Sequence, residues 1–209
     1  MKRDARALAL AAALTLASCR AVVVPPRDVV DPVRVFVVDQ GRHSALVLPR
    51  SDGTGHDLWA WGEWRWFALD DTDWWRLPAV LFWPTRAALG RAPWNGPPEA
   101  DAIARAFWAE KVIGLDVERG AAAALESRLV ARFEEARDER LYSTLYRLEF
   151  VPDDANSYSV LHHCNDRTRT WLRELGCDVW GTPLIANFVT EDEAARSGRR
   201  GRRLARIAP

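Results

Sequence analysis

Three runs of β-branched and aromatic residues follow one another between Val33 and Asp71, separated by little more than turns. VRVFVVDQG, from Val33, closes on a glycine; HSALVLP, from His43 to Pro49, has alternating character; SDGTGHD is a loop; and WAWGEWRWFALDD, from Trp59, is thick with aromatics. Such residues suit a pleated, half-buried surface, and the tight first connection makes the first two runs a hairpin. The domain is therefore expected to begin as a β meander, with a bulge at Gly62 in its third strand.

Beyond Asp73 the periodicity lapses. WWRLPAVLFWPTRAALGRAPWNGPP mixes tryptophan with five prolines, and no element is assigned to it. EADAIARAFWAEKVIG has Ile103 and Phe107 four apart, and AAAALESRLVARFEEARD has Leu125, Leu129 and Phe133 at the same interval, so both are expected to be amphipathic helices. YRLEFVP, from Tyr146, returns to strand character. A last helix is expected from near Cys164, with Trp171, Leu172 and Leu175 on one side and a stop at Gly176. The fold class is α+β: an antiparallel sheet with packed helices, in one domain over residues 33–190.

The chain has 209 residues, enough for one domain with a sizeable core. Residues 1–18 carry three cations and one acid, so the formal net charge of 0 falls to −2 in the remainder. Six arginines between Arg196 and Arg206 form a basic tail, expected to be a disordered end over residues 191–209. Nothing in this distribution suggests nucleic acid. Eleven tryptophans supply core area economically, and Trp61, beside Trp59, Trp64 and Trp66, is also a candidate for stacking on a ligand.

The first residues, MKRDARALALAAALTLASCR, read as a processing segment: a basic start, an apolar stretch too short for an ordinary membrane span, and small residues before Cys19. The segment resembles the bacterial lipoprotein signal. That resemblance implies cleavage after residue 18, acylation of Cys19, and a protein anchored in the cell envelope, on the outer membrane facing the periplasm. Residues 19–32, with three prolines, are then expected to be the tether. Cys164 and Cys177 remain; a helix between them would hold them too far apart to bridge, so two free thiols are expected.

Cys164 stands at a helix start, where unpaired N–H groups favour a thiolate and can also receive the oxygen that gains charge in acyl transfer. His43, at the head of the second strand, is the candidate base, with Glu63 as the group that orients it; Asp57 or a backbone carbonyl are substitutes. Asn165, His163 and Trp61 are candidate substrate contacts. An ordinary buried thiol is a competing reading of Cys164. A zinc site from His162, His163, Cys164 and His43 is another, although no C-x-x-C or H-x-x-x-H spacing appears, and neither a metal nor another cofactor is expected. His56, in a Gly-rich loop, is expected to be merely solvated.

QGRHSALVLP, WAWGEWRWF, ANSYSVLHHCNDRTRTWLRELG and VWGTPL, in this order, resemble an uncharacterised bacterial family of conserved hypothetical proteins from the urease region. His43, Glu63, Cys164 and Asn165 stand at that family's motif positions; Asp166 and Arg167 follow Asn165 where the family has a small residue and tryptophan, and His163 replaces threonine. A histidine on an early strand and a cysteine at a late helix start are also similar to circularly permuted NlpC-type, papain-like proteins. The likeness implies a cysteine hydrolase or acyltransferase working on an amide or ester, in cell-wall peptide or lipid, with Cys164 as nucleophile, His43 as base and Glu63 as orienting group. The alternative is a non-catalytic envelope binding lipoprotein of the same fold.

Overall fold

A computed structural model describes residues 20–73, 75, 83–181 and 183–197. Its main sheet has seven strands in the order β6-β2-β3-β4-β5-β8-β7, antiparallel throughout. In chain order these are β2 (Pro32–Asp39), β3 (Ser44–Pro49), β4 (His56–Glu63), β5 (Thr85–Trp94), β6 (Lys111–Glu118), β7 (Leu141–Ser143) and β8 (Leu148–Tyr158). The expected meander is present as β2, β3 and β4, and it continues into β5. Gly41, at φ +82°, turns the first hairpin in the left-handed region that glycine tolerates.

Side-chain alternation divides the sheet into two packed faces. On one, Val35, Val37, Leu46, Trp59, Trp61 and Leu115 lie under α3 (Arg119–Glu135) and α4 (Cys164–Glu174). The other carries Phe36, Val38, Val47, Leu58, Ala60 and Phe150, and is covered by the short helices α1 (Trp64–Phe67) and α2 (Ala100–Ala106). The last helix agrees with its expected span. Trp171 and Leu172 are buried, and Gly176, at φ +84°, receives the chain as it leaves α4.

Three expectations are corrected, and one unassigned stretch takes a structure. The aromatic strand stops at Glu63, whose carboxylate accepts the Trp66 N–H at 2.7 Å and so starts α1 instead of extending the sheet. Gly62 marks no bulge, since β4 pairs with β5 in unbroken register; a Cβ there would stand 2.2 Å from the Phe67 ring, and glycine is what lets α1 fold back onto the strand. The helix expected over residues 99–114 ends at Ala106, and KVIGLDVE forms β6, burying Ile113, Leu115 and Val117 at period two. Unassigned Thr85–Trp94 is β5, bonded to both β4 and β8.

The domain also exceeds its expected limits. Ala21–Val24, placed in the tether, is strand β1, which pairs in parallel with β10 (Phe188–Thr190) and antiparallel with β9 (Asp178–Trp180). Ala21 and Val23 are fully buried beside Leu172, Val179 and Phe188, because a β-branched run of this kind pairs when a sheet edge is available. At the other end, residues 191–197, assigned to the tail, are helical: Thr190 N–H donates to the Glu193 carboxylate at 3.0 Å, and Thr190 Oγ1 accepts the Glu193 N–H at 3.4 Å. Residues 198–209, and Cys19 with the segment before it, lie outside the described residues. Among the described residues no helix is long and apolar enough to cross a membrane.

Candidate active site

The turn between β2 and β3 meets the start of α4 through one asparagine. Asn165 Nδ2 donates to the Arg42 carbonyl at 3.3 Å, and its Oδ1 accepts the Ser44 hydroxyl at 2.8 Å; Thr168 Oγ1 lies 2.9 Å from the same hydroxyl. Asn165, Ser44 and Thr168 are all fully buried. These bonds bracket His43 on both sides along the chain. The residue before it and the residue after it are pinned to the first turn of the helix that Cys164 begins.

Cys164 and His43 line one cavity of about 770 Å³, together with Gln40, Glu63, Trp66, Glu110 and Tyr158. The backbone N–H groups of Ser44, Asn165 and Cys164 itself and the Tyr158 hydroxyl lie near enough to the Cys164 sulfur to act on its charge. All four favour a thiolate. Burial opposes them and wins, pushing the thiol up to about 11. The balance is physically reasonable: a helix terminus contributes about 0.3–1 kcal/mol, whereas full desolvation moves a titrating group by up to about 3–5 units. The resting sulfur is therefore a thiol, where helix position alone suggests a stabilised thiolate.

His43 is driven the opposite way in charge and to the same neutrality. Burial lowers its imidazole from the ordinary 6.5 to about 4. Its ring lies 4.8 Å from that of Phe67, and its Nδ1 is buried with no hydrogen-bond partner among the described residues. Tyr158, which shares the cavity with Cys164 and Glu63, has its hydroxyl pushed up by burial and by both neighbours, so it stays a donor.

The other expected residues are dispersed. Glu63 faces the cavity but its Oε2 is taken by the Trp66 N–H, and among the described residues no hydrogen bond joins it to His43 Nδ1. Asp57 is held between Arg50 at 3.0 Å and Arg91 at 2.6 Å. Trp61 is a core residue, donating to Asp153 at 2.8 Å and stacked on Tyr158, with the Arg167 guanidinium 4.8 Å from its ring. Asn165 lies behind the cavity wall as a clamp. His163, buried at the N-cap of α4, is lowered by desolvation and does not line the cavity. His162 Nδ1 lies 2.9 Å from the Ser157 carbonyl. Among the described residues no group of three His, Cys, Asp or Glu side chains is placed to hold a metal ion, and Cys164 and Cys177 are both free. His56 is half-buried at the head of β4, not simply solvated, and burial lowers it.

Tyr158 and Tyr146, like Gln40 and Glu110 on the cavity wall, were not singled out from the sequence, and within the tryptophan group the chosen candidate was Trp61. Tyr158 ends β8, six positions before the cysteine; Tyr146 accepts the Trp66 indole N–H at 2.9 Å; and Trp66 is the member of the tryptophan group that faces the cavity. Their signal is faint, because an aromatic residue near a strand end looks the same whether it packs or lines a site.

Compared with protein-family models, with curated proteins and with solved structures, the chain matches none.

Proposed function

We propose that this α+β domain is a cysteine acyl hydrolase or acyltransferase of the permuted NlpC-type, papain-like kind, carried on an envelope lipoprotein acylated at Cys19 and held at the outer membrane. The observation that supports it best is the pairing of Cys164 and His43 on one cavity, whose wall also carries Glu63 and Tyr158. The sequence likeness to the urease-region family covers the same residues.

In the proposed reaction the sulfur attacks the carbonyl carbon of an ester or amide. The S–C bond forms as the thiol proton passes to His43, and the N–H groups of Ser44 and Asn165 receive the charge on the carbonyl oxygen. The bond to the leaving group then breaks, and His43 returns its proton to the departing oxygen or nitrogen. Water or an acceptor alcohol next attacks the thioester and loses its proton to His43, which passes it to the departing Cys164 sulfur as the S–C bond breaks. Because thiol and imidazole both rest neutral, proton transfer accompanies attack, as with a serine nucleophile, and no ion pair has to exist beforehand.

Burial of the thiol favours a second reading, a binding lipoprotein that keeps the fold without the chemistry. The full chain and its Cys164→Ala variant, incubated with short-chain aryl esters and with cell-wall peptide amides, separate the two. A catalyst gives a burst of released alcohol stoichiometric with Cys164 and lost in the variant; identical time courses would refute catalysis by this cysteine.

A further inference from the structure

The second face of the sheet is covered thinly. Helices of four and seven residues lie over it, where the first face carries helices of seventeen and eleven. A chamber of about 420 Å³ is left there, walled by Leu58, Ala60, Ala92, Phe107, Leu148 and Phe150 among others. Gln40, His43, Phe67 and Tyr146 line both this chamber and the Cys164 cavity, so a single layer of side chains faces both spaces.

We propose that the chamber receives the hydrocarbon chain of a long-chain acyl ester whose carbonyl carbon meets Cys164; this rests on the acyl-transfer reading of the Cys164 and His43 pair. The walls decide between chain and peptide. Among the polar groups there, the Gln40 amide N–H donates to the Phe107 carbonyl at 2.7 Å, and the Tyr146 hydroxyl is engaged by Trp66 at 2.9 Å. A peptide laid along Leu58, Ala60, Ala92 and Phe150 would bury amides without partners, whereas a hydrocarbon chain needs none.

The rim supplies a second, independent observation. Trp108 and Arg147 adopt φ of +49° and +56°, and the Arg147 guanidinium stands 5.1 Å from the Trp108 ring. A bulky residue in the left-handed region is a strained arrangement that the surroundings must hold in place, and such strain gathers at ligand clamps. Trp108, Tyr142 and Leu145, all lining the chamber, are 58%, 59% and 55% exposed. Large apolar side chains left in water beside a cation suit the boundary where an amphiphile leaves its polar phase. In the reaction, the bond from Cys164 sulfur to the acyl carbon forms, the carbon–oxygen bond to the alcohol breaks, and the thiol proton leaves on that oxygen by way of His43.

The test uses the full chain with Cys19→Ser, so that no acyl group of its own competes, and dansylated undecanoic acid as the fluorescent probe. Unlabelled saturated acids of increasing length displace it. Each added pair of methylenes is expected to tighten competition by about ten-fold until the chamber is full. Ala92→Phe, which fills the chamber, should bind about ten-fold more weakly, with iodoacetamide labelling of Cys164 unchanged as proof that the fold and thiol survive. Because Ala92→Phe can fail to fold, Trp108→Ala at the exposed rim is the second variant, and it too should weaken the probe. Affinity indifferent to chain length, or to both variants in folded protein, would overturn the chamber assignment. Chain-length-dependent binding without ester cleavage would leave the chamber standing as a lipid site and remove the acyl-transfer reading beneath it.

Discussion

Alkylation of Cys164 as a function of pH tests the central electrostatic statement about this site. With the thiol raised to about 11, roughly one molecule in ten thousand carries a thiolate at pH 7. A free cysteine near pKa 8.5 is about 3% thiolate there, about 300-fold more. The more basic sulfur regains about ten-fold in intrinsic nucleophilicity, taking a Brønsted slope of about 0.4–0.5 over the 2.5-unit difference. Iodoacetamide should therefore label Cys164 about 30-fold more slowly than free cysteine at pH 7, before access is considered, with a rate that climbs log-linearly past pH 9. Cys19→Ser and Cys177→Ser remove the other thiols, and intact-mass spectrometry follows the adduct. Tyr158→Phe removes a hydroxyl that favours the thiolate and should slow labelling by about three-fold more at any pH below the plateau. Labelling at pH 6–7 as fast as free cysteine, with a plateau below pH 8, would refute the account: it would mean that the N–H groups and His43 outweigh burial.

Acid stability should report His43 directly, since a neutral buried imidazole must be exposed before it can take a proton. The imidazole falls from 6.5 to about 4 on folding, so the unfolded chain binds the extra proton between those values; stability is full above pH 6.5 and is lost toward pH 4 by about 3 kcal/mol, and urea midpoints of the parent and His43→Asn should converge as pH drops through that window. Asn165→Ala frees both neighbours of His43 and leaves the Ser44 hydroxyl and Arg42 carbonyl short of partners; about 1–3 kcal/mol of stability and an order of magnitude or more in kcat should go, with KM little changed. Gly62→Ala forces the Phe67 ring, 4.8 Å from His43 and 4.7 Å from Tyr146, out of place, at about 1–3 kcal/mol in a denaturant titration, and unchanged stability would show that α1 can yield without cost.

The meander and the cysteine helix were legible because each announces itself locally. Alternating valines mark β2, an apolar run closed by Pro49 marks β3, and Trp171, Leu172 and a closing glycine mark α4. Strand β5 does not announce itself. Its Ala87, Ala88 and Gly90 are poor strand formers, chosen by their neighbours: a Cβ at Gly90 would meet the Phe150 ring at 2.4 Å. Strand β6 was hidden by the helical spacing of Ile103 and Phe107, although Ile113, Leu115 and Val117 carry period two; the break falls at Trp108, whose positive φ no glycine or asparagine foretells. At the site, residue types and chain order pointed to His43 and Cys164. They could not show that Asn165 is spent on the backbone around His43, or that Glu63 is spent on a helix cap, because both depend on which atoms meet across distant segments.

Strand β1 sets a condition on when the protein can finish folding. Ala21 pairs with Phe188, and Val23 with Thr190, so the beginning of the described chain waits for its far end. Pairing at such sequence separation is slow, and the loop-closure entropy has to be met before any contact rewards it. The seven-stranded sheet can assemble first, but the apolar surface of Trp171, Leu172 and Val179 stays open until β1 arrives. A chain built this way stays incomplete until its last strand has formed; the late closure of β1 then carries the start of the described chain into the core.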